Sequence, residues 1–368
     1  MIWRPSEHEE VTDHPWDERL ARNEIEAIVA DAEAAQADGF WPGHSLDDVA
    51  EHDRFSSLYL GSAGMIWGLW RLGSAPDAAA ALEMAIDQYR VTPDFGPAAH
   101  APSLWMGETG LLVVADKIGS PLADRRRLRD LVHRNREHQT WELMWGSPGT
   151  MLAARACELP EAWEESATLL WARWDETSDL WTQDMYGQIT QYLGPAHGFA
   201  GNAHALRGLD DDLLRARVTR LLERTALQQD GMFNWPPSPG APMEKVRVQW
   251  CHGAPGIVST VGDLIPEAML LGAGELTWRA GPLRKGPGLC HGTAGNGFAL
   301  LKIYELTGDD RWLERARRFA MHAIQQVDQQ RAEVGRGRYT LWTGDIGVAL
   351  YLQACFDVES AFPTIDAF

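Results

Sequence analysis

The pattern Gly-x-x-Gly occurs seven times in this chain: GSAG at Gly61, GETG at Gly107, GSPG at Gly146, GFAG at Gly198, GAPG at Gly253, GTAG at Gly292 and GDIG at Gly344. Successive first glycines are 46, 39, 52, 55, 39 and 52 residues apart. A period in this range marks a repeat architecture, in which one supersecondary unit cannot bury its own apolar face and must stack on its neighbours. Each motif is followed by an apolar segment rich in small residues, such as "MIWGLWRLG" from Met65 or "FALLKIYELTG" from Phe298. This reads as a buried helix introduced by glycines. The rest of each repeat is amphipathic. Trp312, Leu313, Ala316, Phe319, Ala320, Ala323, Ile324 and Val327 follow helical spacing with Arg315, Arg317 and Arg318 among them, and Leu214, Val218, Leu221 and Thr225 do likewise.

Each repeat is thus expected to be a helical hairpin with an apolar inner and an amphipathic outer helix, giving an all-α protein. The inner segments are nearly all apolar, and an open array would leave one side of them in water. Closure into a double ring of seven hairpins is therefore expected over residues 58–368, with residues 1–57 packing on it as an N-terminal segment. Short hairpin strands fit only the Pro/Gly-rich stretches Asp230 to Val248 and Ala280 to Gly288.

The formal charge of −19 lacks the footprint of a nucleic-acid or anionic-membrane binder. No run of 18 apolar residues occurs, and "MIWRPSEHEEVTDHPWDERL" has acidic residues where a signal peptide needs an apolar core. A cytoplasmic protein is expected. Its four cysteines (Cys157, Cys251, Cys290, Cys355) are too few for a disulfide framework in 368 residues.

Repetition turns sequence position into spatial position. If Gly-x-x-Gly marks the same end of every inner helix, the residues before it line one mouth of the ring. Two places before the first glycine stand Tyr59, Trp105, Met144, Ala196, Cys251, Cys290 and Trp342; one place before stand Leu60, Met106, Trp145, His197, His252, His291 and Thr343. Cys251 and Cys290 then sit at equivalent heights on neighbouring repeats. Two thiolates and an imidazole suit tetrahedral, borderline-soft Zn2+, and three protein ligands leave the fourth position for water or substrate. The imidazole comes from His291 or His252. Cys157 and Cys355, inside apolar helical segments, read as core thiols.

The motifs "WCHGAPG" (Trp250 to Gly256), "GLCHGTAGN" (Gly288 to Asn296), "LGPAHGFAG" (Leu193 to Gly201) and "ELMWGSPG" (Glu142 to Gly149) resemble those of the LanC-like (lanthionine synthetase C-like) proteins, from Leu58 to the C-terminus. The wording is nearer the eukaryotic-type members than the lantibiotic cyclases. The resemblance implies an α/α toroid, a central zinc ion on Cys251, Cys290 and His291, and conjugate addition of a thiol to dehydroalanine or dehydrobutyrine. The thiol would be a cysteine of a precursor peptide, as in bacterial cyclases, or glutathione, as in the eukaryotic-type relatives. The first fifty residues match poorly; Arg4 is the one N-terminal candidate for a glutathione contact.

Such an addition builds negative charge on a carbonyl oxygen and then protonates the α-carbon, so it needs a cation or donor and a general acid beside the metal. His197, in the repeat before Cys251, is the candidate acid. Glu142 fits a carboxylate that the family places in the third repeat, and Arg247 fits an arginine near the metal that could stabilise the enolate. Lys285 reads as solvent-facing, and Trp105, Trp145, Trp250 and Trp342 as ring packing with a share in a peptide-binding wall. A second class is a non-catalytic adaptor holding glutathione or a peptide on its metal. A glycosidase- or terpenoid-cyclase-like toroid would need paired carboxylates that the mouth does not offer.

Overall fold

Why the repeat is written with two glycines is explained by where they lie in the computed structural model, which describes residues 1–74, 77–95 and 102–368. Each first glycine is the N-cap of an inner helix: α2 (Ser62–Arg71), α4 (Glu108–Lys117), α6 (Ser147–Ala156), α8 (Phe199–Ala205), α10 (Ala254–Val261), α12 (Thr293–Thr307) and α14 (Asp345–Asp357). At each second glycine the preceding loop folds back over the helix start. A Cβ there would lie 1.8 to 2.3 Å from the carbonyl oxygen six residues earlier, that of Leu58, Leu104, Leu143, Pro195, Trp250, Leu289 or Leu341. Only glycine admits that approach.

The same glycines seat each repeat on its neighbour. Gly110 faces Leu58, Gly201 faces Leu143, Gly256 faces Pro195, Gly295 faces Trp250 and Gly347 faces Leu289, while Gly64 in the first repeat faces Leu341 in the seventh. Every inner helix touches the next, and α14 touches α2, so the chain of contacts returns to its start. Backbone bonds bind the loops at one end: Tyr59 N to Trp105 O (3.0 Å), Cys251 N to Cys290 O (3.1 Å) and Cys290 N to Trp342 O (2.9 Å).

The outer partners are α3 (Ala78–Val91), α5 (Arg125–Asn135), α7 (Pro160–Ala172), α9 (Asp211–Thr225), α11 (Glu267–Ala280) and α13 (Asp310–Val334). The seventh outer position differs from the expected sequential hairpin. No helix follows α14 among the described residues, and α1 (Glu18–Ala35) packs on it instead. Ala21, Ile28 and Ala32 of α1 are buried, and Arg331 joins Glu24 (3.7 Å) and Asp31 (3.6 Å) of α1 to Asp345 (3.1 Å) at the start of α14. Within residues 1–57, α1 thus takes the seventh outer position.

Residues after α14 turn back under the mouth. Phe362 is fully buried with ring centroids 4.8 Å from Trp250, 5.0 Å from Phe298 and 5.7 Å from Trp342, and Trp105 Nε1 donates to Thr364 Oγ1 at 3.0 Å. Two antiparallel hairpins interrupt the helices, β1 (Gln183–Met185) with β2 (Gln188–Thr190) and β3 (Leu227–Gln229) with β4 (Met232–Asn234). Only the second overlaps a stretch expected to hold strands; Ala280 to Gly288 contributes a single bridge, Leu283 to His8. No helix of the described residues is long and apolar enough to cross a membrane.

Candidate metal centre

Two places before the first glycine the residue is buried in every repeat but the first, where Tyr59 is half-buried; one place before, Leu60, Met106, Trp145, His197, His252 and His291 are half-buried and only Thr343 is buried. Ligand atoms of Cys251, Cys290 and His291 lie within 4.8 Å of one another, the one such cluster among the described residues. In a tetrahedral site with Zn–S near 2.3 Å and Zn–N near 2.0–2.1 Å, ligand atoms stand about 3.5–3.8 Å apart, so the trio needs only a small contraction to hold an ion. Both cysteines are buried and His291 is half-buried.

The two thiols are chemically coupled. A hydrogen bond from Cys251 holds Cys290 well below the usual thiol range against the opposing effect of burial, with His291 and the Tyr59 hydroxyl helping. That bond and burial push Cys251 well above the range. Cysteines bind metal as thiolates, so a cation held here would offset the two negative charges. Cys157 and Cys355 are different: they are wholly buried, desolvation pushes each to about 12, and they belong to the core.

Beside this cluster, Glu142 is completely buried and engages His197. Its Oε2 lies 2.8 Å from His197 Nδ1 and accepts from Met144 N at 3.0 Å, while Oε1 accepts from Trp145 N at 2.7 Å. A carboxylate fixed by two backbone donors thereby fixes the imidazole and leaves its Nε2 to face outward. The sequence placed both residues near the mouth without revealing their pairing.

His252 is outside the three-residue cluster. Its ring lies 6.0 Å from that of His197 and 5.8 Å from Tyr192. Burial, then the charge of His197, lower it to about 4, so its imidazole is neutral at physiological pH. Arg247 Nη1 donates to the carbonyls of Glu244 (2.6 Å) and Val246 (3.0 Å), and its Nε lies 3.6 Å from Glu7. Arg4 shares this corner, donating to Glu244 O at 2.9 Å and pairing with Glu7 at 2.9 Å. Lys285 is exposed, and its positive charge is the smallest of the influences on Cys251 and His252, too weak to offset the rise that Cys290 and burial impose on Cys251.

Trp105, Trp250 and Trp342 are fully buried and form the floor, whereas Trp145 is half-open, with Nε1 donating to Tyr186 Oη at 2.9 Å. Three asparagines join the frame. Asn234 Oδ1 accepts from Ala254 N at the start of α10, Asn202 donates to Trp141 O and Asn296 donates to Val248 O, each bond between 2.8 and 2.9 Å. Asn202 and Asn296 both follow a second glycine, a Gly-x-x-Gly-Asn signal that could have disclosed them. Gln249, whose Nε2 lies 2.9 Å from Cys251 Sγ, carries no repeat signal.

Comparison with known proteins agrees with this construction. The family profile described as lanthionine synthetase C-like protein matches residues 52–366. LanC-like protein GCL1 of Arabidopsis thaliana is 34% identical over 191 residues, 47% of this chain and 43% of that protein. Glutathione S-transferase LANCL1 of Danio rerio is 34% identical over 143 residues, 35% of either chain. The matched stretches thus span less than half the length of these curated relatives. Among solved structures, nisin cyclase superposes with a TM-score of 0.62 over 93% of this chain and 95% of its own, at 17% identity, a likeness of fold. With its profile spanning nearly the whole of the repeat region, the chain belongs to the lanthionine synthetase C-like family.

Proposed function

We propose that the closed cycle of helices is an α/α toroid carrying a zinc-dependent enzyme that adds a thiol, from glutathione or a peptide cysteine, to dehydroalanine or dehydrobutyrine in a peptide or protein. The observation that carries this reading is the convergence of Cys251, Cys290 and His291 next to the His197–Glu142 pair. Zinc held by Cys251, Cys290 and His291 would supply the positive charge that lets a thiol lose its proton and attack at neutral pH. Two cysteinate ligands cancel the metal's formal charge, which suits an electron-rich thiolate better than water activation.

The chain's own groups supply the rest. His197, held by Glu142, presents Nε2 toward the mouth and delivers a proton to the α-carbon after the β-carbon has been attacked. Glu142 accepts from Nδ1–H, which orients the ring and stabilises the imidazolium whose Nε2 proton is transferred. Arg247 and Lys285 give the mouth of an acidic protein a positive edge that favours a carboxylate-bearing thiol such as glutathione and the developing enolate. The relative named as a glutathione S-transferase supports glutathione as one thiol to test.

The test is to load the protein with Zn2+, add glutathione and a dehydroalanine peptide, and follow the thioether adduct by mass. The reading expects adduct well above the uncatalysed rate, lost in Cys290→Ala. Glutathione binding by calorimetry with no adduct would contradict it and favour the adaptor.

A further inference from the structure

An unsaturated acceptor entering this mouth meets three sulfurs: that of the incoming thiol and those of Cys251 and Cys290. Nothing in the ring's geometry alone forbids attack by the protein's own cysteines. Gln249 bears on this problem. Its backbone N–H and C=O pair with the C=O and N–H of His252, both at 3.2 Å, so the turn that carries Cys251 also clamps Gln249. Its side chain is buried, and Nε2 stands 2.9 Å from Cys251 Sγ. A thiolate offers only lone pairs, so the amide presents N–H to it.

Building on the thiol-addition reading, we propose that Gln249 is a positioning residue that sets selectivity: its amide donates to the Cys251 sulfur and makes it a poorer nucleophile than the incoming thiol. The step it suppresses is definite. A lone pair of Cys251 Sγ would form a bond to the acceptor's β-carbon, the π pair would move to the α-carbon, that carbon would take a proton, and the metal would lose a ligand. A hydrogen bond to a charged acceptor stabilises it by an amount of which thiol nucleophilicity registers a little under half, so loss of the donor raises the reactivity of this sulfur about three- to tenfold. Gln249→Met keeps the length without the donor, and Gln249→Glu sets a carboxylate against the sulfur.

The experiment loads the full chain and both variants with Zn2+, treats them with iodoacetamide, which forms an S–C bond with loss of iodide, and maps modified Cys251 and Cys290 by mass. The expected result is three- to tenfold faster modification of Cys251 in the variants, with Cys290 unchanged, and a shift of the sulfur-to-metal charge-transfer band to lower energy in the Co2+ forms. Equal Cys251 rates in metal-replete proteins would overturn the proposal. Should the variants not fold, the wild-type protein loaded with spin-active cadmium is expected to show a coupling from the metal to a glutamine side-chain amide proton; its absence would equally overturn it. Failure of the thiol-addition reading is separate, because that appears as no thioether adduct in the wild type whatever the labelling shows.

Discussion

Replacing Glu142 by Gln changes little but the charge and one acceptor, and the structure states what that removes. The carboxylate is fully buried and accepts three hydrogen bonds, from His197, Met144 N and Trp145 N. An amide has one oxygen. If it faces Trp145 N, the amide NH2 opposes both the Met144 N–H and the His197 nitrogen, and the imidazole must present a lone pair at Nδ1, which moves its proton to Nε2. Disturbing bonds to a buried charged acceptor costs about 2–4 kcal/mol. Scaled to a chain this long, that lowers the melting temperature by only about 3–5 °C, so the variant stays folded at 25 °C. A neutral ring with its proton on Nε2 is a far weaker acid than an imidazolium stabilised by a carboxylate, so the rate falls by about 10²–10⁴. The assay pairs thermal denaturation with the glutathione–dehydroalanine adduct rate at saturating Zn2+. A rate within about threefold of wild type, with the expected small drop in melting temperature, would refute the role given to the His197–Glu142 pair.

Three further outcomes are expected. Gly256→Ala sets a Cβ 1.8 Å from the Trp250 carbonyl, directly before Cys251, and should cost about 2–3 kcal/mol or more while weakening metal binding, read by melting with and without Zn2+. Phe362→Ala empties the space beneath Trp250 and Trp342 and should destabilise by about 3–5 kcal/mol with a change in tryptophan emission, read by urea titration. Burial raises the carboxyl of Glu24 in α1 from 4.5 to about 7, against the pull of Arg331. The folded state therefore binds this proton more tightly between those values, and stability declines as pH rises through that window. Urea midpoints across it should fall less steeply with pH in Glu24→Gln than in wild type.

The repeat was legible because seven short motifs each need glycine for the same reason, a loop carbonyl pressed on a helix start. That shared register alone places Cys251, Cys290, His291 and His197 at one mouth. What escaped was non-local or lay in side-chain direction. The spacing of Ala21, Ile25, Ile28 and Ala32 announces an amphipathic helix, but only the closed ring shows that its partner is α14, three hundred residues away. Phe362 reads as any apolar residue near a terminus until the tryptophans around it are placed. Arg247 reads from the sequence as a cation near the metal, but its bonds to the carbonyl of Glu244 and the carboxylate of Glu7 depend on how the loops fold. The strands β1 to β4 are three residues each, too short for a period-two pattern to register.

Elemental analysis of purified protein, beside Cys251→Ala, Cys290→Ala and His291→Ala, tests the central claim most directly. About one zinc per chain in the wild type, lost or sharply reduced in each variant, is the predicted result. Folded wild-type protein that takes up no zinc, or variants that hold it as tightly as the parent, would contradict the account.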